Sequence, residues 1–353
     1  MAGNFHLETV ARSGGRRLCL YSAAARDYEI FEGLPAVDSS SAHMRRHPLT
    51  GEWIGHASAR QGRTFLPNVA DCPFCCMTAD SDLTDIPVDD YEVAIFSNRF
   101  SALTPSPDAP PELGIETAPG RGICEVISYS ADHDASLSTI GVERLTLLVA
   151  AVGAQATDLL RNVAIQYVLP FENRGREIGV TIDHPHGQIY ALSHVPTVVA
   201  RMTESFQSAN PLADLVHTVS DDLVLHKNEV GIAFTPEWAR YPFEVWVAPY
   251  RRVASPDYLS PEEQAGFAAL MDVAAKKLDA VAGGVMPLTM SWQIAPKGHE
   301  AHFHFHCQFQ PLKRSKTKQK FLASVEQFTG FFLVDLPPEQ AARILNGEAE
   351  ADE

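Results

Sequence analysis

The sequence predicts a duplicated α+β fold, and two observations carry that reading. A strand, a helix, a strand and then a histidine-bearing strand follow one another in the first half of the chain, and the same order returns in the second. The chain also has 353 residues, 45% of them hydrophobic, enough to build one large core or two of ordinary size.

The elements can be justified in order. Residues 1–44 show no sustained periodicity and contain "SGGRR" and "VDSSS", so they are expected to form a loosely attached N-terminal extension. The first repeat is expected over 45–200. "HPLTGEWIGHASAR" supplies a turn at Pro48 to Gly51 and a short strand with Trp53 and Ile54. "EVAIFSNRF" and "ICEVISYS" read as strands on either side of a loop rich in Pro and Gly at residues 104–122. "GVERLTLLVAAVGAQATDLLRN" has its leucines on one helical face, and "AIQYVLPFEN" is the strand that leads into "DHPHGQIYAL". The second repeat, 201–353, follows suit. "PFEVWVAPY" is a strand, and "SPEEQAGFAALMDVAAKKLDAV" is a helix opened by Ser260 and Pro261. "PLTMSWQIAP" and "HFHFHCQF" are strands, the latter placing His302, His304 and His306 on one face.

A formal net charge of −16 argues against nucleic acid or anionic membrane as a partner, because both recruit clustered Lys and Arg. Any phosphate the chain handles must meet a local basic group. No run is long and apolar enough to span a membrane, and "MAGNFHLETVARSGGRR" lacks the apolar centre of a secretory signal, so a cytoplasmic location is expected. Six cysteines are too few for a disulfide scaffold. Cys72, Cys75 and Cys76 cluster, and in a reducing compartment that reads as a metal site.

Cys72 and Cys75 have the C-x-x-C spacing that lets two thiolates reach one ion from a tight turn, although a pair of free thiols has the same spacing. A tetrahedral zinc needs two more ligands, and His133 in "SADHDAS" and His184 in "DHPHGQ" are available. Two strand residues separated by one face the same side, so His184 and His186 are expected on one face, with Pro185 restricting the backbone between them.

The chain resembles the histidine-triad superfamily, and within it the galactose-1-phosphate uridylyltransferase branch, whose active-site motif is His-Pro-His-Gly-Gln. HPLTGEW, the Cys72 and Cys75 pair, "SNRF", "SADH", "FENRG", HPHGQ, "YPFE", "SWQIAP" and "RSKTKQKF" stand in that family's order from Arg45 to about Phe332. The resemblance implies a duplicated histidine-triad-like fold, an antiparallel sheet with flanking helices. It also implies zinc at Cys72, Cys75, His133 and His184, and a nucleophile at His186 that takes a nucleotidyl group. Gln188 stands where hydrolytic histidine-triad proteins have a third histidine; its amide donates hydrogen bonds but ferries no proton at neutral pH.

By the same resemblance, Arg60 and Arg63 contact phosphate, although two such arginines taken alone would read as a solvated face. Asn173, Gly179 and Thr181 hold the nucleotide phosphates, Asn98 and Phe100 line the nucleoside pocket, and Lys320, Phe321 and Glu326 bind the sugar phosphate. The implied substrates are a nucleotide sugar and a sugar 1-phosphate, in a homodimer whose Lys320 segment reaches the partner's site. The competing readings are a nucleotide-sugar phosphorylase similar to ADP-glucose phosphorylase and a nucleotide-binding regulatory protein.

Some positions depart from the family. A second metal site found in some members would need a glutamate and histidines where this chain has Met202, Gln293 and Gln308, so it is expected to be absent. A tyrosine and a glutamine of the hexose pocket are Val325 and Phe332, and an acidic residue common after the nucleoside-pocket asparagine is Arg99. Base and sugar are therefore left open.

Overall fold

The computed structural model describes residues 5–12, 15–33, 42–62, 66–78 and 82–350. In chain order its elements begin with β1 (His6–Ala11), β2 (Arg17–Ser22), β3 (His43–Arg46), β4 (Trp53–His56), β5 (Val93–Ser97), β6 (Thr117–Pro119) and β7 (Gly122–Ser128). There follow α1 (Gly141–Leu160), β8 (Tyr167–Arg174), β9 (His186–Leu192), α2 (Thr197–Ser208), α3 (Pro211–Thr218), β10 (Val224–Lys227), β11 (Gly231–Phe234) and β12 (Val245–Pro249). The chain ends with α4 (Pro261–Ala282), β13 (Leu288–Gln293), β14 (His306–Pro311), α5 (Ser324–Thr329) and α6 (Pro338–Leu345).

The main sheet runs β1-β2-β5-β7-β9-β8-β13-β14-β12-β11-β10, and its ladders are antiparallel. Read outward from the central β8–β13 pair, the order is palindromic. One side meets β9, β7, β5 and β2; the other meets β14, β12, β11 and β10. Each half inserts its long helix between the same two steps, so the duplication expected from the sequence is realised as a continuous sheet. β3, β4 and β6 form a separate three-stranded sheet.

α1 and α4 lie against each other and cover one face of the main sheet. Leu148 and Val152 of α1 and Phe267 and Met271 of α4 share a core with Ile189, Ala191, Val245, Val247, Leu288 and Met290. The start of α4 is set locally. Ser260 accepts from the Glu263 backbone N–H while the Glu263 carboxylate accepts from the Ser260 N–H, Pro261 occupies the first turn, and Gly283 ends the helix at a φ of 66°.

Two expectations are corrected. Residues 6–11 and 17–22 do not hang loosely: β1 and β2 complete one edge of the main sheet, with Leu18 and Leu20 packed on one face and Cys19 and Tyr21 on the other. Both faces of β2 are covered, so "RLCLYS" shows no polar–apolar alternation. The three histidines near residue 304 do not share a strand face either. β14 begins at His306, and His302 is exposed in the preceding turn.

Candidate active site and metal cluster

A short turn, Val69–Asp71, delivers Cys72 and Cys75 beside the end of β7. The Cys75 Sγ lies 3.4 Å from His133 Nδ1 and 3.5 Å from His184 Nδ1, and the Cys72 Sγ lies 3.7 Å from His184 Nδ1. All four donor atoms fall within 4.8 Å of one another. A tetrahedral zinc with two sulfur and two nitrogen ligands sets neighbouring donors about 3.5 Å apart, so the spacing fits that ion. Cys76 is not part of the group.

The donor chemistry agrees with the spacing. Burial and the adjoining Cys72 push the Cys75 thiol up to about 12, so two thiolates here require a cation. Burial lowers His184 to about 4, and its ring is neutral at pH 7. Its Nε2 lies 2.8 Å from the Ser130 carbonyl, which can only accept, so the proton sits on Nε2 and Nδ1 offers its lone pair to the cluster. The Tyr91 hydroxyl, 3.0 Å from the same Nε2, braces the ring and reaches Ser128 Oγ and the Phe74 carbonyl.

The strand β9 begins at His186, so the two motif histidines are not successive rungs of one strand. His184 precedes it in a bend and turns to the cysteines, while His186 opens the ladder opposite Ser128. Gly187, Ile189 and Ala191 are buried, and the alternation places His186, Gln188 and Tyr190 on the opposite face, away from α1. Gly187 is required. A Cβ there would collide with the Tyr129 hydroxyl and come within 2.8 Å of the Phe171 carbonyl oxygen.

His186 Nδ1 donates to the His184 carbonyl at 2.7 Å, which leaves Nε2 as the ring nitrogen with a lone pair. Burial lowers its pKa, favouring the neutral ring. His186 and Gln188 border an open pocket shared with Arg60, Asn98, Phe100 and Thr181. The Arg60 guanidinium donates to the Tyr190 hydroxyl at 2.8 Å, and Asn98 Oδ1 accepts from the Phe100 backbone N–H at 2.9 Å. A second hollow on the other side of His186 contains Asn173. Gly179, at a φ of 76°, closes the turn just before Thr181. Arg63 lies outside the described residues.

Both domain models of one family match this chain. The galactose-1-phosphate uridyl transferase N-terminal domain matches residues 34–196, and the C-terminal domain matches residues 199–352. The chain belongs to the galactose-1-phosphate uridylyltransferase family. It is 33% identical over 316 residues to the galactose-1-phosphate uridylyltransferase of Thermotoga maritima, covering 86% of this chain and 97% of that one. With the Streptomyces lividans protein of the same name it shares 30% over 339 residues, 89% of each chain. Among solved structures, a uridylyltransferase aligns with a TM-score of 0.75 at 27% identity, over 86% of this chain and 97% of that one. An ADP-glucose phosphorylase from Arabidopsis thaliana shares the fold, with a TM-score of 0.64 at 20% identity, over 87% of this chain and 99% of that one.

Lys320, Phe321 and Glu326, expected from the sequence to bind the sugar phosphate, are not brought together with His186. Lys320 pairs with Glu326 and donates to the Leu333 carbonyl, Phe321 is 76% exposed, and none of the three borders either hollow around His186. The second repeat keeps the motif spacing as His304, His306 and Gln308. Its geometry is also kept, with His306 Nδ1 donating to the His304 carbonyl at 2.9 Å. However, Trp246 stacks on the His306 ring at 4.7 Å, and Gln308 Nε2 donates to His306 Nε2 at 3.0 Å. That imidazole has no lone pair left to attack with. Sequence reading missed Phe74, Tyr91 and Tyr190 at the first site. Only Tyr190 had a signal, its alternation with His186 and Gln188.

Proposed function

We propose that this enzyme moves a nucleoside monophosphate, UMP, between sugar 1-phosphates through a nucleotidyl-His186 intermediate. The observation that supports this most is the His186 hydrogen bond to its own chain at His184, which orients the ring and assigns the lone pair to Nε2 beside a pocket containing Arg60 and Gln188. Nε2 attacks the α-phosphorus of the nucleotide sugar. The N–P bond forms as the P–O bond to the sugar 1-phosphate breaks, and the leaving group takes the electron pair. A second sugar 1-phosphate then attacks phosphorus through an oxygen, and the P–N pair returns to Nε2. Neither step needs a proton on the leaving group. Gln188 and Arg60 stabilise the phosphoryl oxygens by donating to them.

Zinc held by Cys72, Cys75, His133 and His184 would supply structural cross-linking, with all four positions filled by protein. Through His184 it would also hold the carbonyl that orients His186. None of the cysteines among the described residues forms a disulfide, which suits a cytoplasmic enzyme. No helix among the described residues is long and apolar enough to cross a membrane.

Purified protein incubated with labelled UDP-glucose is expected to retain an acid-labile, base-stable adduct that maps to His186. No adduct with any nucleotide sugar would overturn the reading. Val325 and Phe332 replace polar groups of the family's hexose pocket, and Phe332 instead packs on Tyr241 and Arg240. Galactose 1-phosphate is therefore expected to be a poorer acceptor, by specificity constant, than another sugar phosphate or inorganic phosphate. If it clearly wins, the pocket has been misread.

A homodimer completes the proposal. The Lys320 segment borders neither hollow beside its own His186 and exposes Phe321, Leu322, Phe328, Phe331 and Leu333, an apolar stretch suited to a partner's surface. Sedimentation should show a dimer, and inactive His186→Ala and Lys320→Ala chains should recover activity when mixed. A monomer fully active on dilution would contradict it.

A further inference from the structure

The pocket beside His186 also contains an ion pair that the transfer step does not use. Asp85 is 8% exposed, its Oδ2 lies 3.8 Å from an Arg99 guanidinium nitrogen, and both residues border the pocket together with Phe74, Phe96 and Phe100. That separation is that of an ion pair rather than a direct hydrogen bond. The pair is also firmly placed. The Asp85 backbone N–H donates to the Pro73 carbonyl at 2.8 Å, inside the Cys72–Cys75 turn, and the Arg99 guanidinium stacks over the Phe100 ring with its carbon 4.9 Å from the centroid. Burial raises the Asp85 pKa, and the positive charges of Arg99 and then Arg16 oppose that rise.

We propose that Asp85 and Arg99 read the nucleobase and select a uracil-type edge, an N–H donor beside a carbonyl acceptor. The inference rests on the transfer reading above and names its base-specificity residues. A carboxylate only accepts and a guanidinium only donates, so side by side they complement a donor next to an acceptor. Uracil presents N3–H beside O4. Cytosine presents the reverse at the same two positions, a lone pair at N3 and an amino donor at C4, which sets like against like. The aromatic side chains supply the apolar walls that a planar base needs. Resemblance placed an acidic residue directly after Asn98; this chain has Arg99 there, and Asp85 comes to the pocket from a separate loop.

Cytosine and uracil have the same size, so the test is electrostatic. His186 labelling rates from UDP-glucose and CDP-glucose give a base ratio for each protein. The wild type is expected to favour UDP-glucose by about tenfold or more, the cost of a mispaired buried polar group. Asp85→Asn keeps the shape while adding a donor, and should cut that ratio about tenfold, mainly through KM. Arg99→Gln is a second variant with the same readout and should also lower the ratio. A His186 adduct with the wild-type ratio retained in both variants, or a wild type that prefers CDP-glucose, overturns this inference and leaves nucleotidyl transfer standing. No adduct from any nucleotide sugar overturns both.

Discussion

His186→Ala is expected to abolish nucleotidyl transfer while leaving the fold intact. The side chain borders an open pocket, so truncation removes little packing from the core beneath α1 and α4. The loss in rate should be on the order of 10⁴-fold or more, because the variant lacks the bond-forming nitrogen. Gln188→Ala removes only one charge-stabilising donor and should cost about 10²–10³-fold. His186→Gly leaves space for a free imidazole carrying the activated nucleotide, so the imidazolide should restore transfer. Single-turnover adduct formation and far-ultraviolet circular dichroism check the two halves together. Residual turnover in His186→Ala close to wild type would show that another group attacks phosphorus.

Removing the metal should reach activity as well as stability. One zinc per chain is expected, and Cys75→Ser should lose it. Structural zinc contributes on the order of 10 kcal/mol to the folding of small domains. On an already packed sheet, a few kcal/mol of that shifts the thermal midpoint by roughly 5–10 °C. Without the ion, the buried Cys72 and His184 and the half-buried Cys75 and His133 donors are left facing one another. His184 then keeps only its Ser130 and Tyr91 hydrogen-bonding contacts, and the carbonyl to which His186 Nδ1 donates is less firmly fixed. Transfer should therefore slow about 10–100-fold, the usual cost of losing such outer support. Metal analysis, a thermal melt and the His186 labelling rate measure the three effects. Full activity in a zinc-free protein would separate the cluster from the nucleophile.

Much of the site was legible because its chemistry depends on short spacings. A C-x-x-C turn and a His-x-His-x-Gln segment each place donors within a few residues, and local backbone geometry preserves those distances. The strand start at His186 was not legible. Alternation predicts two equivalent histidines, whereas the chain bends at His184 and Pro185 and sends one ring to the cysteines and the other to the pocket. Asp85 had no signal, because nothing near it in sequence announces the pocket it enters. The N-terminal strands went unrecognised because burial on both faces of β2 removes the period-2 pattern.

The sequence by itself determined the α+β repeat, the two long helices, the cap of α4 and the close spacing within the Cys72–Cys75 and His184–Gln188 segments, since helical periodicity, capping and short spacings are all local. The tertiary structure alone decided the palindromic strand order and the pairing of Lys320 with Glu326. It alone brought Asp85 to Arg99 and stacked Trp246 on His306. Each of these depends on which apolar faces find one another, and that is settled by burial summed over the whole core rather than by any residue's neighbours in sequence.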